Sequence, residues 1–543
     1  MAYKFNFSEM PDRLLFLIQI DGLVHDIFLS LLEGGELPNI ALLMKDRPYS
    51  LGRVVTTYPS ATAPSLPELF TGKWSDSFFK RPRKINAFDR LQLKALKYEF
   101  LPDAWDGEHT DLFDIFESRG EKILSLFSGE FSAATITYHD SLFFGLDALG
   151  KMSGREILSY DKKVMDKLLE LASHPPYPRV VFLGFSSTDL SGHFHGPSSA
   201  LYKSSLLEID SCIGNLLTFL KSKNDNGKTL YDKSVFLVFG DHGMMDSSKF
   251  IDLITLFKSE GLKTSDLGSI GHIVAEKLNP FWTQDRDVLS VPGGSNITEL
   301  YVRKKYKEKL FDWETFADYD LLRNYPVQTW FQDKKVDLIA ILLGMEGVGE
   351  VIAPLSPNVT AVHTPNRGNA YIYRRTSPHG NLIAYQPVND GVDPFGYLSH
   401  PAALDMVCLT REMTPENFTQ SKFDDQFWPT RDWVRVTFDS KYPGAPAFIP
   451  KAFFLHQTTS DIIVNASAPY NFSKFFKGDH GVLEKDSITT TFLASGDGIK
   501  PEADFSDFLW VDFLPTVLRL MRVEASPAFL DSLDGKVYSK LVE

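Results

Sequence analysis

The sequence predicts an α/β fold of parallel strands joined by crossover helices, with a cap-like insertion in its middle. Three observations carry this. Short, continuous apolar runs alternate with helical patterns through the N-terminal half, as expected for strands buried on both faces and linked by helices. The three clearest runs each end just before a carboxylate, and the C-terminal ends of parallel strands are where such sheets place a ligand site. The regular pattern fades from about residue 250 to residue 450 and then returns.

The first run, Leu14 to Ile20 (LLFLIQI), leads straight into Asp21-Gly22. It follows acidic residues and lacks a small-residue cleavage site, so it reads as a strand and not as a signal peptide. From Thr57 to Gly72 (TYPSATAPSLPELFTG), small and hydroxyl residues lead into a helix that Pro64 can start. The N–H groups at such a helix end favour an anion, although on this segment alone Ser60, Thr62 and Ser65 read first as a capping cluster. Val180 to Phe185 (VVFLGF) precedes Asp189, and Val235 to Phe239 (VFLVF) precedes Asp241-His242. Between these two strands, Leu206, Ile209, Ile213, Leu217 and Leu220 mark one face of a helix from Ala200 to Leu220. The less regular middle should still contribute core strands at Thr298 to Val302 and Asn369 to Tyr373. Asp461 to Asn465 and Thr491 to Ser495 read as two further strands bracketing a loop that contains His480. Residues 1–250 and 450–543 are therefore expected to form the catalytic core, with 251–449 divided between core strands and cap.

Composition narrows the function. The 543 residues include 43% hydrophobic and 23% charged residues, ordinary values for a globular chain with a large core. With 56 basic and 70 acidic residues the net charge is -14, which gives no electrostatic footprint for binding nucleic acid as a structural partner. Only Cys212 and Cys408 occur, so any metal must be held by His and carboxylates. No apolar run is long enough for a membrane span, and the expectation is a cytoplasmic protein, export by a non-cleaved route remaining open. The sequence carries no mark of an oligomeric state.

The strand ends present Asp21; Asp189, with His193 four residues later; and Asp241 with His242. The loop at 478–481 adds His480. Taken singly, each has a bland reading as a turn, cap or hydrogen-bonded structural residue. Together they are three carboxylates and three imidazoles, a donor set suited to zinc or manganese and large enough for two adjacent ions. Thr62 sits two residues before Pro64. Its hydroxyl is a weak nucleophile alone, and a coordinated cation would make it competent near neutral pH.

These pieces resemble the alkaline phosphatase superfamily, and within it the type I phosphodiesterase and nucleotide pyrophosphatase branch, in its bacterial-type form. The resemblance rests on IQIDGL at 18–23, YPSATAPSLPELFTG at 58–72, STDLSGHFHGP at 187–197, FGDHGMMD at 239–246 and GDHG at 478–481. It implies an alkaline-phosphatase-like, mostly parallel central sheet with helices on both faces. It also implies one ion on Asp189, His193 and His480, another on Asp21, Asp241 and His242, and Thr62 as the nucleophile bridging both. Eukaryotic-type members carry Lys before this Thr and Asn three residues after it; here Ala61 and Ser65 stand in those places, so Ser65 is a candidate substrate contact. His195 is a second such candidate. A basic run at Lys80, Arg81, Arg83 and Lys84, which reads as a solvated loop or as an attractor of anionic substrates, replaces the family's usual continuation, and aromatics such as Trp74 and Phe78 are candidates either to stack on a base or to join the core.

The resulting expectation is a hydrolase of phosphodiester or pyrophosphate bonds in small phosphate-ester or nucleotide substrates, working through a phosphothreonyl intermediate with two divalent ions, zinc first and manganese second. Phosphomonoesterase is the alternative. Monoesters carry an additional negative charge that usually demands further cations, and Arg53 is the nearest upstream candidate. Thr62 in place of Cys or Ser argues against a sulfatase. A binding protein that keeps the fold without turnover is the remaining alternative, against which the complete ligand set speaks.

Overall fold

The computed structural model describes residues 12–74, 86–90, 94–97, 110–126, 136–138, 153–225, 227–267, 286–292, 296–304, 313, 315–328, 333–377, 380–389, 391–419, 422–453 and 459–543. Its central sheet has seven strands: β1 (Leu14–Ile20), β2 (Tyr49–Val55), β3 (Ile123–Leu126), β4 (Ile136–Tyr138), β5 (Val180–Phe185), β6 (Ser234–Phe239) and β7 (Thr489–Ser495). Their order across the sheet is β2-β7-β6-β1-β5-β3-β4. Only β7 runs antiparallel to its neighbours, β6 and β2. The five strands from β6 to β4 are parallel, and β1, β5 and β6 are buried along their whole length. Burial on both faces is why these strands read as unbroken apolar runs.

Alternate residues of β1 feed two separate cores. Leu14, Phe16, Ile18 and Ile20 pack with helices α1 (His25–Glu33), α2 (Pro38–Leu42), α5 (Gly154–Leu171) and α7 (Ala200–Ser222). Leu15 and Leu17 pack on the opposite face with α3 (Thr62–Thr71), α4 (Leu112–Glu117) and α8 (Phe513–Leu520). A further helix, α6 (Ser187–His195), follows β5 directly. No helix among the described residues is long and apolar enough to cross a membrane.

A second sheet of nine strands, largely antiparallel, takes in Thr264–Asp266, Val288–Pro292, Ile297–Val302, Ile462–Ala466, Val348–Ser356, Val359–His363, Asn369–Ser377, Gly380–Pro387 and Trp428–Pro429, in that spatial order. The strands expected near 298–302, 369–373 and 461–465 all exist, and all belong to this sheet and not to the central one. Apolar runs report burial but not which sheet supplies the partner strand. One core at this sheet joins Ile297, Ile352 and Ile463 to Val55 and Tyr58, before α3, and to Leu483 and Ile488, before β7. The second sheet thus braces the loops that enter the site.

The site lies where the topology predicts. β1 is flanked by β6 on one side and β5 on the other, so the residues after these three strands emerge side by side.

Candidate active site

Asp21 follows β1, its N–H donating to the Phe185 carbonyl at 2.9 Å. Gly22 comes next with φ +65°, and a Cβ there would lie 3.1 Å from Asp189 Oδ1. This turn therefore requires glycine, both for its left-handed backbone and for the close approach of Asp189. Asp241 and His242 follow β6 after Gly240, and Gly22 N–H donates to Asp241 Oδ1 at 3.3 Å. A Cβ on Gly243 would stand 2.1 Å from the Asp486 carbonyl, so the DHG turn can press against the segment leading into β7 only without a side chain.

Thr62 opens α3, with Ala61 as its extended N-cap. The helix therefore begins two residues before Pro64, which sits in the first turn where no N–H is needed. Asp189 and His193 lie one turn apart on α6, with Nε2 to Oδ2 at 3.3 Å. His480 arrives from the loop before β7 and stacks on His242, the ring centres 3.7 Å apart.

All three imidazoles are oriented alike. Their Nδ1 atoms face backbone carbonyls: His242 that of Gly243 at 2.9 Å, His480 that of Ser60 at 2.8 Å and His193 that of Gly478 at 3.2 Å. An Nδ1–H donated to a carbonyl leaves the Nε2 lone pair pointing inward, the arrangement that orients metal-binding histidines. The Nε2 atoms meet carboxylates: His242 lies 3.3 Å from Asp21 Oδ1 and 3.6 Å from Asp241 Oδ2, and His480 lies 3.6 Å from Asp189 Oδ1. Two groups of donors converge, Asp189 with His193 and His480, and Asp21 with Asp189 and His242; within each, all ligand atoms lie within 4.8 Å of one another. Asp189 is common to both, while Asp241 joins the second through His242. Asp189 Oδ1 and Asp241 Oδ2 are buried without a hydrogen-bond partner. Orphaned carboxylate oxygens beside inward-facing imidazoles fit divalent cations at these positions.

The electrostatics agree. Burial, together with Asp241 and Asp189, raises the Asp21 carboxyl well above the usual carboxylate range. Burial opposes a charge on His242, yet Asp241 and Asp21 outweigh it and push the imidazole up to about 10. Burial would also raise Asp189, but His193, His480 and His242 hold it below its ordinary value. Burial and the neighbouring His242 keep His480 well below its ordinary value and so neutral. The carboxylates repel one another across the cluster and hold a proton on His242, so a divalent cation bound among them would relieve the repulsion and displace that proton.

Thr62 Oγ1 lies 3.2 Å from His242 Nε2 and 3.4 Å from Asp21 Oδ1, at the rim of the cluster. Ser65 is fully buried: its hydroxyl donates to the Asp241 carbonyl at 2.7 Å, and its own carbonyl accepts from Trp510 Nε1 at 2.9 Å. His195 is exposed at the end of α6. Trp74 is buried, edge-on to Phe448 and beneath Lys451. Phe78 and the basic run at 80–84 lie outside the described residues. Arg53 is paired with Asp439 at 2.5 Å.

Asp479 is a site residue that the sequence reasoning missed. It is fully buried, accepts the His480 N–H at 2.7 Å and lies 3.8 Å from His193 Nδ1. Its signal was available, because it precedes His480 within GDHG. Ser60 is another: its hydroxyl, 2.8 Å from that of Ser487, also bonds the Val482 carbonyl and the Gly481 N–H, fixing the loop before Thr62 to the His480 loop.

Comparison with known proteins places this geometry. The family profile for type I phosphodiesterase / nucleotide pyrophosphatase matches residues 15–368, well over half of the chain. Comparison with curated proteins gave no match. Among solved structures, murine ectonucleotide pyrophosphatase / phosphodiesterase 5 is similar over 95% of this chain and 96% of its own, with a TM-score of 0.50 and 15% identity. An inactive variant of that murine protein, in complex with AMP, gives the same values. The human counterpart is 14% identical over 96% of this chain and 99% of its own, also with a TM-score of 0.50. At such identities the structures speak for a shared fold, while the profile speaks for the family. The chain belongs to the type I phosphodiesterase / nucleotide pyrophosphatase family of phosphoric ester hydrolases, on the alkaline-phosphatase-like fold.

Proposed function

We propose that the chain hydrolyses phosphodiester or pyrophosphate bonds of nucleotide-type substrates through a phosphothreonyl intermediate on Thr62, assisted by two divalent cations, zinc first and manganese second. The observation that carries this reading is the placement of Thr62 Oγ1 at 3.2 Å and 3.4 Å from His242 Nε2 and Asp21 Oδ1, on the edge of two converging donor groups. Asp189, His193 and His480 would hold one cation; Asp21, Asp241, His242 and the Thr62 oxygen would hold the other. Bound there, the cations would supply Lewis-acid stabilisation of the charge on the phosphoryl and leaving oxygens.

The protein's own groups do the rest. Thr62 stands at the N-terminus of α3, whose dipole favours a phosphoryl anion beside the hydroxyl. Asp21 Oδ1 lies close enough to draw off the hydroxyl proton. Thr62 Oγ attacks phosphorus in line, the bond to the leaving oxygen breaks, and phosphothreonine forms. Water then attacks the same phosphorus, and the phosphate product leaves as the Thr62 hydroxyl is restored. Ser65 stabilises the Asp241 turn by its bond to the Asp241 carbonyl. The pairing of Arg53 with Asp439 removes the nearest upstream cation that a monoester would call for, which favours diesters. The AMP complex of a similarly folded protein supports a nucleotide-type substrate.

The test is hydrolysis of bis-p-nitrophenyl phosphate beside p-nitrophenyl phosphate, with zinc or manganese, by the native chain and by Thr62→Ala. The diester should be preferred and Thr62→Ala should be inactive. Preference for the monoester would replace this reading with phosphomonoesterase, and full turnover by Thr62→Ala would remove the covalent intermediate.

A further inference from the structure

The helix that carries Asp189 and His193 has no cap of its own: Ser186, the N-cap residue of α6, makes no side-chain capping bond. The first N–H groups of a helix need acceptors, and leaving them without any is costly. Here the acceptor comes from another helix. Ser186 N–H donates to Asp161 Oδ1 at 3.0 Å, and the Ser187 hydroxyl donates to Asp161 Oδ2. Asp161 lies about two turns into α5 and is fully buried between α5, α6 and α7. The charged group of α7 that bears on it is Glu208, which repels it, and the Cys212 thiol of α7 is also near enough to feel its charge. A carboxyl group in such a place is costly unless its oxygens are hydrogen-bonded, and both oxygens of Asp161 are bonded to the start of this one helix.

What it holds is the first turn of α6. The same turn is tied to β1 by the Thr188 hydroxyl, which donates to the Asp21 carbonyl at 2.6 Å, and to α7 by the Ser205 hydroxyl, which donates to the Ser187 carbonyl at 3.2 Å. Asp189, the carboxylate common to both donor groups, is the next residue, and His193 follows one turn later. We propose that Asp161 is a positioning residue: by capping α6 from α5 it fixes Asp189 and His193 in the geometry that binds the cation shared with His480. This rests on the cation-assisted reading above. Asp161 touches neither substrate nor ligand atoms, so its effect should fall on affinity for the cation and not on chemistry once the cation is bound.

The experiment is zinc binding to the 543-residue chain, titrated against a competing chelator, for the native protein, Asp161→Ala, Asp161→Asn and Ser187→Ala, with turnover of bis-p-nitrophenyl phosphate measured across free zinc. Alanine removes both acceptor oxygens, whereas asparagine keeps one oxygen for Ser186 and can donate its NH2 to the Ser187 hydroxyl, so it serves as the conservative variant that should retain binding. The zinc equivalent on Asp189, His193 and His480 should weaken about 10- to 100-fold in Asp161→Ala, the other by less because Asp189 alone is common to both donor groups, and raised free zinc should restore turnover. If Asp161→Ala does not fold, Ser187→Ala removes one of the same bonds from its other end and should weaken the same equivalent. Two equivalents bound as tightly in Asp161→Ala as in the native chain would overturn the proposal. Equal weakening of both, without rescue by zinc, would make Asp161 a general structural residue and overturn it as well. A native chain that binds no zinc would instead refute the cation reading, and this assignment with it.

Discussion

Tyr202→Phe removes one oxygen atom from beneath the Asp21 turn and leaves the ring packing as it is. The Tyr202 side chain, on α7, is fully buried; its hydroxyl donates to the Gly22 carbonyl at 2.8 Å and accepts the Val24 N–H at 2.9 Å. The variant deprives both backbone groups of this partner just after a proposed ligand. A buried backbone group without a partner costs about 1–3 kcal/mol. At about 1.4 kcal/mol per factor of ten, local opening at Val24 should become roughly 5- to 150-fold more frequent. Amide hydrogen exchange by mass spectrometry reads this directly, since a peptide spanning residues 21–27 should lose protection by that factor while peptides from the second sheet should not change. Catalytic efficiency on the diester should fall with it, because the loosened turn carries Asp21. Unchanged protection at Val24 would show that the hydroxyl bears none of the turn's stability, and the reasoning would fail at its first step.

Two further outcomes are expected. Phe70→Ala, in α3, should destabilise the chain by about 3–5 kcal/mol in urea denaturation, because the ring is enclosed by Phe113, Phe182 and Phe513 at 4.9, 5.4 and 6.1 Å and α4 and β5 are too well packed to close the gap. Burial raises the Asp161 carboxyl to about 7 against an ordinary value of 3.8. The folded state therefore holds this proton more tightly than the unfolded chain, and the stabilisation, complete below about pH 4, is lost as pH rises through about 7. The urea midpoint of Asp161→Asn should lack that slope between about pH 4 and 7.

The central sheet was legible because parallel strands buried on both faces leave unbroken apolar runs. β1, β5 and β6 could be read almost to the residue, and with them the strand ends that present Asp21, Asp189 and Asp241. His480 could be found from its GDHG setting, although its partners lie hundreds of residues away. The second sheet was legible only as isolated strands. Ile462–Ala466 looked like a companion of Thr489–Ser495, yet one lies in each sheet, because strand pairing depends on long-range register that local pattern does not encode.

Sequence alone determined the chemistry available: a donor set without cysteine, a threonine at a helix start, and parallel strand ends to carry them. The folded structure decided how those groups face one another. It turned three Nδ1 atoms toward backbone carbonyls and three Nε2 atoms toward carboxylates, made Asp189 common to two donor groups, and committed Ser65 to the Asp241 carbonyl. It also brought in Asp161 and Tyr202, which no motif marks, because each acts by a hydrogen bond to backbone supplied from a distant helix. A residue's chemistry is local to the chain, whereas its orientation is set by whatever packs against it in space.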